Sequence, residues 1–311
     1  MPPPNRPTGS GRSLRIAIKI ATETAALAHL WGDTHFAASL AAALSRLGHS
    51  ARVDLRPDWA ETGAPFARDD LHLVLQGHGN CPPQPGIPSM VWLIYPGRDF
   101  DEARLAEHAH AFVASSPCQR GLARDYPRLS SSVLHQAFDA TRMRPRPGPR
   151  RGLVFVGHNN FAGPRPLVEM AIAAGLPLRI WGTGWRRPHQ ARHLVAEFVP
   201  NAVLGAIYAG AQAVLCDHRK RMRARGFVSN RIFDALGCGT PVIADGIAAL
   251  PRDLAPFVTR IDSPEGLIET AGRALTDSVG FADDLHAMAA RHSFDARART
   301  ILETAAGLGL T

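Results

Sequence analysis

Apolar positions along the chain recur with two periods, and the two alternate. Leu14–Ile20 (LRIAIKI) is an apolar run of strand length. A loop holding Gly32, Asp33 and His35 follows, and then Phe36–Leu47 sets Phe36, Leu40, Leu44 and Leu47 on one helical stripe that Gly48 closes. Ala51–Leu55, Leu71–Gln76, Ser89–Tyr95 and Ala111–Ser115 read as further strands. The second half repeats the alternation. Strands are expected at Leu153–Gly157, Leu178–Trp181, Ala213–Cys216 and Pro241–Ala244. Helices are expected at Pro166–Ala174, Val203–Ala211, Asn230–Gly237, Pro264–Leu275 and Ala296–Ala306. Strands alternating with helices imply parallel sheets covered on both faces. The proline-rich, pattern-free stretch 139–152 reads as a linker. The expectation is therefore an α/β chain of two Rossmann-like domains, 14–138 and 153–290, with a cleft at the carboxyl ends of both sheets. No repeat of 20–50 residues is present, which excludes a solenoid.

Composition narrows the classes. A net charge of +8 favours anionic partners, and the positive charge is almost all arginine, with Lys19 and Lys220 the two lysines. Cys81, Cys118, Cys216 and Cys238 stand singly and form no C-x-x-C pair, as in a reducing cytoplasm. No apolar run of about 18 residues exists to span a bilayer. Residues 1–13 lack the apolar core of a secretory signal and read as a disordered leader. A cytoplasmic location is expected, with peripheral contact to the inner face of an anionic membrane left open.

The densest chemistry lies at Arg225–Ala244 (RGFVSNRIFDALGCGTPVIA): a loop, a short helix, a glycine turn and a buried strand. Ser229, Asn230 and Arg231 stand where free backbone N–H groups meet the positive end of a helix dipole, a ready anion site. Asp234 lies one turn further in, placed to accept from ribose hydroxyls. A capped helix with an Arg231–Asp234 ion pair would explain the same spacing.

This segment resembles the donor-binding signature of GT-B glycosyltransferases, especially family-4 and CgeB-like members. Gly226, Phe227, Cys238, Gly239, Thr240 and Pro241 match the pattern, and Asp234 takes the place of its ribose-binding carboxylate. Arg225 stands where the family-4 pattern has a glutamate that contacts the transferred sugar, and the spacing is one residue longer. The resemblance continues more weakly along the chain. His158, Asn159, Asn160 and Arg165 resemble the loop that approaches the diphosphate, and Trp181–Trp185 (WGTGW), with Gly182 and Trp185, resembles the loop near the base. Residues 291–311 resemble the closing helix that returns to the N-terminal domain. Each also has a local reading: turn formers at 158–160, a solvated Arg165, and aromatic packing around the WGTGW glycines.

The resemblance implies sugar transfer from a nucleotide-diphosphate sugar to an unknown acceptor hydroxyl, with no bound cofactor and no metal. Gly32 would face the donor. Arg225, Arg231 and Arg165 would stabilise the leaving diphosphate. Asp33 or His35 could act as general base, while Asp33 or Thr34 could instead cap the helix. His78, Asn80, Tyr95, Arg98 and Asp99 are further candidates for acceptor contact. The basic run Asp217–Arg225 is either an anion funnel or a solvated loop, and its lack of interleaved aromatics argues against nucleic acid. A nucleotide-sugar epimerase and a non-catalytic basic scaffold are the alternatives.

Overall fold

The computed structural model describes residues 12–61, 63, 68–159, 165–247, 249–276 and 282–310. All but Arg12 and Ser13 of the expected leader, and Asn160, lie outside them. The first half forms six strands: β1 (Arg15–Lys19), β2 (Ser50–Asp54), β3 (Leu71–Gln76), β4 (Ser89–Leu93), β5 (His110–Val113) and β6 (Ser131–Val133). They pair in parallel in the order β2-β1-β3-β4-β5-β6. Helix α1 (Gly32–Arg46) follows β1, and α2 (Ser116–Asp125) follows β5. The second half carries β7 (Leu153–Val156), β8 (Leu178–Trp181), β9 (Leu194–Ala196), β10 (Ala213–Cys216), β11 (Val242–Ala244) and β12 (Val258–Arg260). Their parallel order is β12-β11-β10-β7-β8-β9. The helices of this half are α3 (Pro166–Ala173), α4 (Pro188–Ala191), α5 (Asn201–Ala209), α6 (Lys220–Ala224), α7 (Asn230–Gly237), α8 (Pro264–Thr276), α9 (Ala282–His292) and α10 (Phe294–Gly307).

Two Rossmann-like domains thus face each other, as the alternating periods predict. Strand order reverses between β1 and β3 in one sheet and between β7 and β10 in the other. At such switch points crossover helices leave to opposite faces and open a crevice beyond the strand ends. The loops after β1 and β3, and those after β7 and β10, therefore form the two walls of one cleft.

The expected helix Phe36–Leu47 begins one turn earlier, at Gly32. Asp33 and Thr34 are thus first-turn residues and not caps; Trp31 is the N-cap and makes no side-chain cap bond. Strands β6, β9 and β12 were not legible: each has three residues, like β11, but lacks the continuous buried apolar run that marks β11. Segment 139–152 is tied down: Met143 is buried in the core of the second sheet, and Arg142 is salt-bridged to Asp139 at 2.9 Å.

The chain passes between the halves twice, side by side. Phe138 N donates to His292 O at 3.1 Å, and Phe294 N donates to Phe138 O at 3.0 Å. Helix α10 then buries Phe294, Ala298, Ile301 and Ala305 beside α1 in the core of the first sheet. Among the described residues no helix is long and apolar enough to cross a membrane.

Candidate functional site

The cleft holds two adjoining cavities. One, of about 650 Å³, lies between Leu30, Gly32 and His35 on one wall and Gly157, His158, Gly182, Thr183, Phe198 and Val199 on the other. The other, of about 260 Å³, lies deeper, among Asp33, Tyr95, Asp139, Arg142, Asn230 and Asp234. Gly32, His35, Asn201 and Leu204 line both. Their sizes suit a ligand with a planar head and a polar tail.

Helix α7 supplies a polar wall. At its N-terminus Ser229 Oγ accepts from Arg231 N and Ser229 O from Ile232 N, and Asn230, the first helical residue, lines the deeper cavity. Behind this cap stands a relay that sequence reasoning missed. The His218 side chain is fully buried: its Nδ1 donates to Asp245 at 2.6 Å, and its Nε2 accepts from Ser229 N at 3.0 Å. The carboxylate fixes the tautomer, and the imidazole fixes the start of α7. An Asp-His pair just after an apolar strand, with a second Asp after the next strand, was the signal available.

Asp234 does not pair with Arg231. It lines the deep cavity and accepts from Asn230 Nδ2 at 2.9 Å, while Asn230 Oδ1 has no partner. Burial pushes its carboxyl up to about 7, against the opposing pull of the Asn230 hydrogen bond and Arg142. Arg231 turns the other way. Its Nε donates to Val156 O at 2.8 Å, and its guanidinium lies 4.6 Å above the Phe155 ring. A Cβ on Gly157 would come within 2.8 Å of that guanidinium, so Arg231 presses directly against the loop after β7.

The loops after β7 and β8 interlock. His158 Nδ1 accepts from Thr183 N at 3.1 Å, and Asn159 N donates to Thr183 O at 2.9 Å. Gly182 and Gly184 have φ of +131° and +87°, and a Cβ on either would collide with Gly157 O or Asn159 O at 2.3 and 2.0 Å. The glycines of WGTGW are therefore required by close backbone approach. The side chain of Trp185 is not in the cleft. It is 1% exposed, packs edge-on against Phe155, and donates to Gly157 O at 2.9 Å.

Arg165 is buried, not solvated. It donates to Asp217 at 2.5 Å and to His158 O at 3.1 Å, and desolvation holds its guanidinium down at about 10. Arg219 also donates to His158 O, at 2.8 Å. Burial and the cations Arg165, Arg219 and Arg231 lower the His158 pKa, so the imidazole is neutral and the loop around it electropositive.

On the facing wall, Asp33 approaches Gly77 at the end of β3, and burial raises its carboxyl pKa, with His78 opposing. Trp31, His78 and Tyr95 stand beside it, with ring centroids 6.0 and 5.7 Å apart. His35 Nε2 contacts His29 O at 3.1 Å. Arg225 departs from the expected grouping. It leaves the cleft and pairs with Glu102, and its backbone carbonyl accepts from Ser115 Oγ at 2.6 Å.

Phe198, Val199, Asn201 and Leu204 line the larger cavity and were missed. The Pro-Asn step before an apolar helix was their sequence signal. The triplet Asp99-Phe100-Asp101 has D-x-D spacing, but Asp101 accepts from Ala103 N as a helix cap, and Asp99 O accepts from Asn80. Among the described residues no group of three or more His, Cys, Asp or Glu side chains is arranged to hold a metal ion.

Residues 165–303 match the family model described as glycosyl transferase-like. Curated protein sequences give no match. Among solved structures, AviGT4, a glycosyltransferase involved in avilamycin A biosynthesis, superposes with a TM-score of 0.67 at 17% identity, covering 93% of this chain and 96% of that one. The β-glucosyltransferase of phage T4 superposes at 0.57 and 12% identity, covering 94% and 99%. That phage enzyme has been solved with UDP-glucose and with UDP and Mn2+. The N-terminal domain of Candida albicans trehalose-6-phosphate phosphatase superposes at 0.60 and 9% identity, covering 96% and 98%. At these identities the likeness establishes a shared fold.

Proposed function

We propose, from the premise that residues 165–303 form a glycosyl transferase-like domain within a GT-B fold, that this chain moves a sugar from a nucleotide-diphosphate sugar to an acceptor hydroxyl. The observation that carries the reading is α7. It opens its N-terminus onto the cleft and sets Asp234 one turn behind, in the deep cavity. The diphosphate lies at that N-terminus, beside the His158 loop that Arg165 and Arg219 make electropositive. The ribose hydroxyls donate to Asp234, with Asn230 Oδ1 as a further acceptor. The base occupies the larger cavity, between the Gly182–Thr183 loop and the Phe198–Val199 segment.

Across the cleft, Asp33 serves as general base. Burial raises its carboxyl pKa, against the opposing pull of His78, which makes it a better proton acceptor than an exposed aspartate. It takes the acceptor proton as the hydroxyl oxygen bonds to the anomeric carbon and the bond to the diphosphate breaks, with inversion. The aromatic group of Trp31, His78 and Tyr95 frames the acceptor. His35 borders both cavities and orients the donor. The α7 dipole and the arginines meet the charge on the departing diphosphate, so transfer proceeds without a bound metal.

Thermal-shift and donor-hydrolysis measurements over a nucleotide-sugar panel test the reading. UDP comes first because the phage T4 enzyme was solved with it. A melting shift with one nucleotide class and hydrolysis of its sugar are expected, unchanged by chelator. Tight, salt-sensitive RNA binding with no nucleotide effect overturns the assignment. Conversion of donor without acceptor favours an epimerase.

A further inference from the structure

The loop that precedes α7 belongs by sequence to the second half of the chain, yet its side chains are built into the first. Phe227 is 0% exposed and lies in the core cluster of Val91, Leu93, Val113, Cys118 and Leu122. Met222 packs against the same cluster. Gly226 adopts φ of +70°, and a Cβ there would lie 2.9 Å from Pro117 and 3.1 Å from Ser115 Oγ. Arg225 pairs with Glu102, its NH2 lies 3.4 Å from Cys118 Sγ, and Arg221 donates to Gly97 O at 2.5 Å. Two residues further along, Ser229 begins the helix whose N-terminus faces the cleft.

We infer that Phe227 and Arg225 are positioning residues for donor binding: by anchoring the loop in the first domain, they set the N-terminus of α7 at its working distance from the opposite wall. The inference rests on the assignment of that N-terminus to the donor diphosphate. It gives Arg225 a role that needs no contact with the transferred sugar. A fully buried aromatic fixes the loop in translation, and the ion pair beside it fixes rotation. The start of α7 and Asn230 then stand at a fixed place when the nucleotide arrives, so binding costs little ordering.

The test uses the full chain with Phe227→Ala, Phe227→Leu, Glu102→Arg, Arg225→Glu and the Glu102→Arg/Arg225→Glu exchange. Leu122→Ala, in α2, serves as a control that loosens the same core from outside the loop. The Kd for UDP, or for whichever nucleotide the panel selects, is measured well below each Tm. Phe227→Ala is expected to raise Kd by about tenfold, with Phe227→Leu restoring most of it. The two charge reversals each weaken binding, and the exchange recovers it. Leu122→Ala lowers Tm and leaves Kd alone. If Phe227→Ala and Leu122→Ala lose Tm alike and neither moves Kd, the residues are only structural and the inference is wrong. A dye pair at Arg128→Cys and Asp262→Cys reads the distance between domains without any ligand. Should no nucleotide bind the parent chain, the functional reading fails, but a distance that shifts in Phe227→Ala still upholds the anchor, and an unchanged distance overturns it.

Discussion

Asp234 shows how a single residue ties the fold to its chemistry. Its folded pKa of about 7 lies above the roughly 3.9 of an exposed aspartate. Between those values the folded state binds more protons than the unfolded one, so stability falls as pH rises across that window. Asp234→Asn should flatten this decline in a Tm-against-pH series. Ribose hydroxyls favour the ionised form, so nucleotide affinity should rise with pH up to about 7 and level off above it, a rise that Asp234→Asn abolishes while keeping the fold. Titration calorimetry in buffers of different ionisation enthalpy should show proton release near neutrality. Residue identity was legible here because spacing set Asp234 one turn inside a capped helix. Orientation was not. The i,i+3 pairing of Arg231 and Asp234 that spacing allows is absent, because Arg231 finds a carbonyl and an aromatic face behind it. Arg225 and Trp185 share that lesson: both lie in the right segments, and tertiary packing turns both away from the cleft.

At the scale of elements, long periodic segments were legible and short ones were not. Strand β3 and helix α7 stand at their expected ranges, whereas β9 and β12 are both short and partly exposed, without the buried apolar run that marks β11. The Phe198–Asn201 lining follows β9, so losing the strand meant losing that wall of the cavity. The interlocked loops after β7 and β8 make a sharp prediction. Gly182→Ala must place a methyl where Gly157 O now sits and must hold a φ of +131°. It should destabilise the chain by about 2 kcal/mol or more and weaken nucleotide binding, read by denaturant unfolding and by Kd. Trp185→Phe keeps the apolar body and loses the bond to Gly157 O. It should cost about 1 kcal/mol and leave base preference unchanged, because the indole is not in the cleft.

At the scale of the whole molecule, the two halves are stitched together by more than their linker. The double crossing at Phe138 and Phe294 brings α10 back to complete the core of the first sheet. Removing residues 294–311 should expose the apolar side of α1 and give aggregation, visible in size-exclusion chromatography, even though the candidate site lies elsewhere. Buried Arg297 ties the same crossing, donating to His135 O and Gln136 O at 2.7 and 3.0 Å. Arg297→Met should lower Tm by several degrees, since three carbonyls lose a charged donor at once.

Helix α7 is wedged at both ends, by the opposite half at one and by its own core at the other. At one end Phe227 is sunk in the first domain, and at the other Gly237 lies so close to Phe138 that a Cβ would be 2.5 Å from the ring. Two fixed points on one short rod make α7 a rigid strut, and Asn230 and Asp234 ride on it into the deeper cavity as one unit. Away from that strut, the two halves touch where His29 meets Phe198 edge to face, with centroids 5.8 Å apart. Both rings line the larger cavity, so a bulkier side chain at either would narrow it while leaving α7 in place.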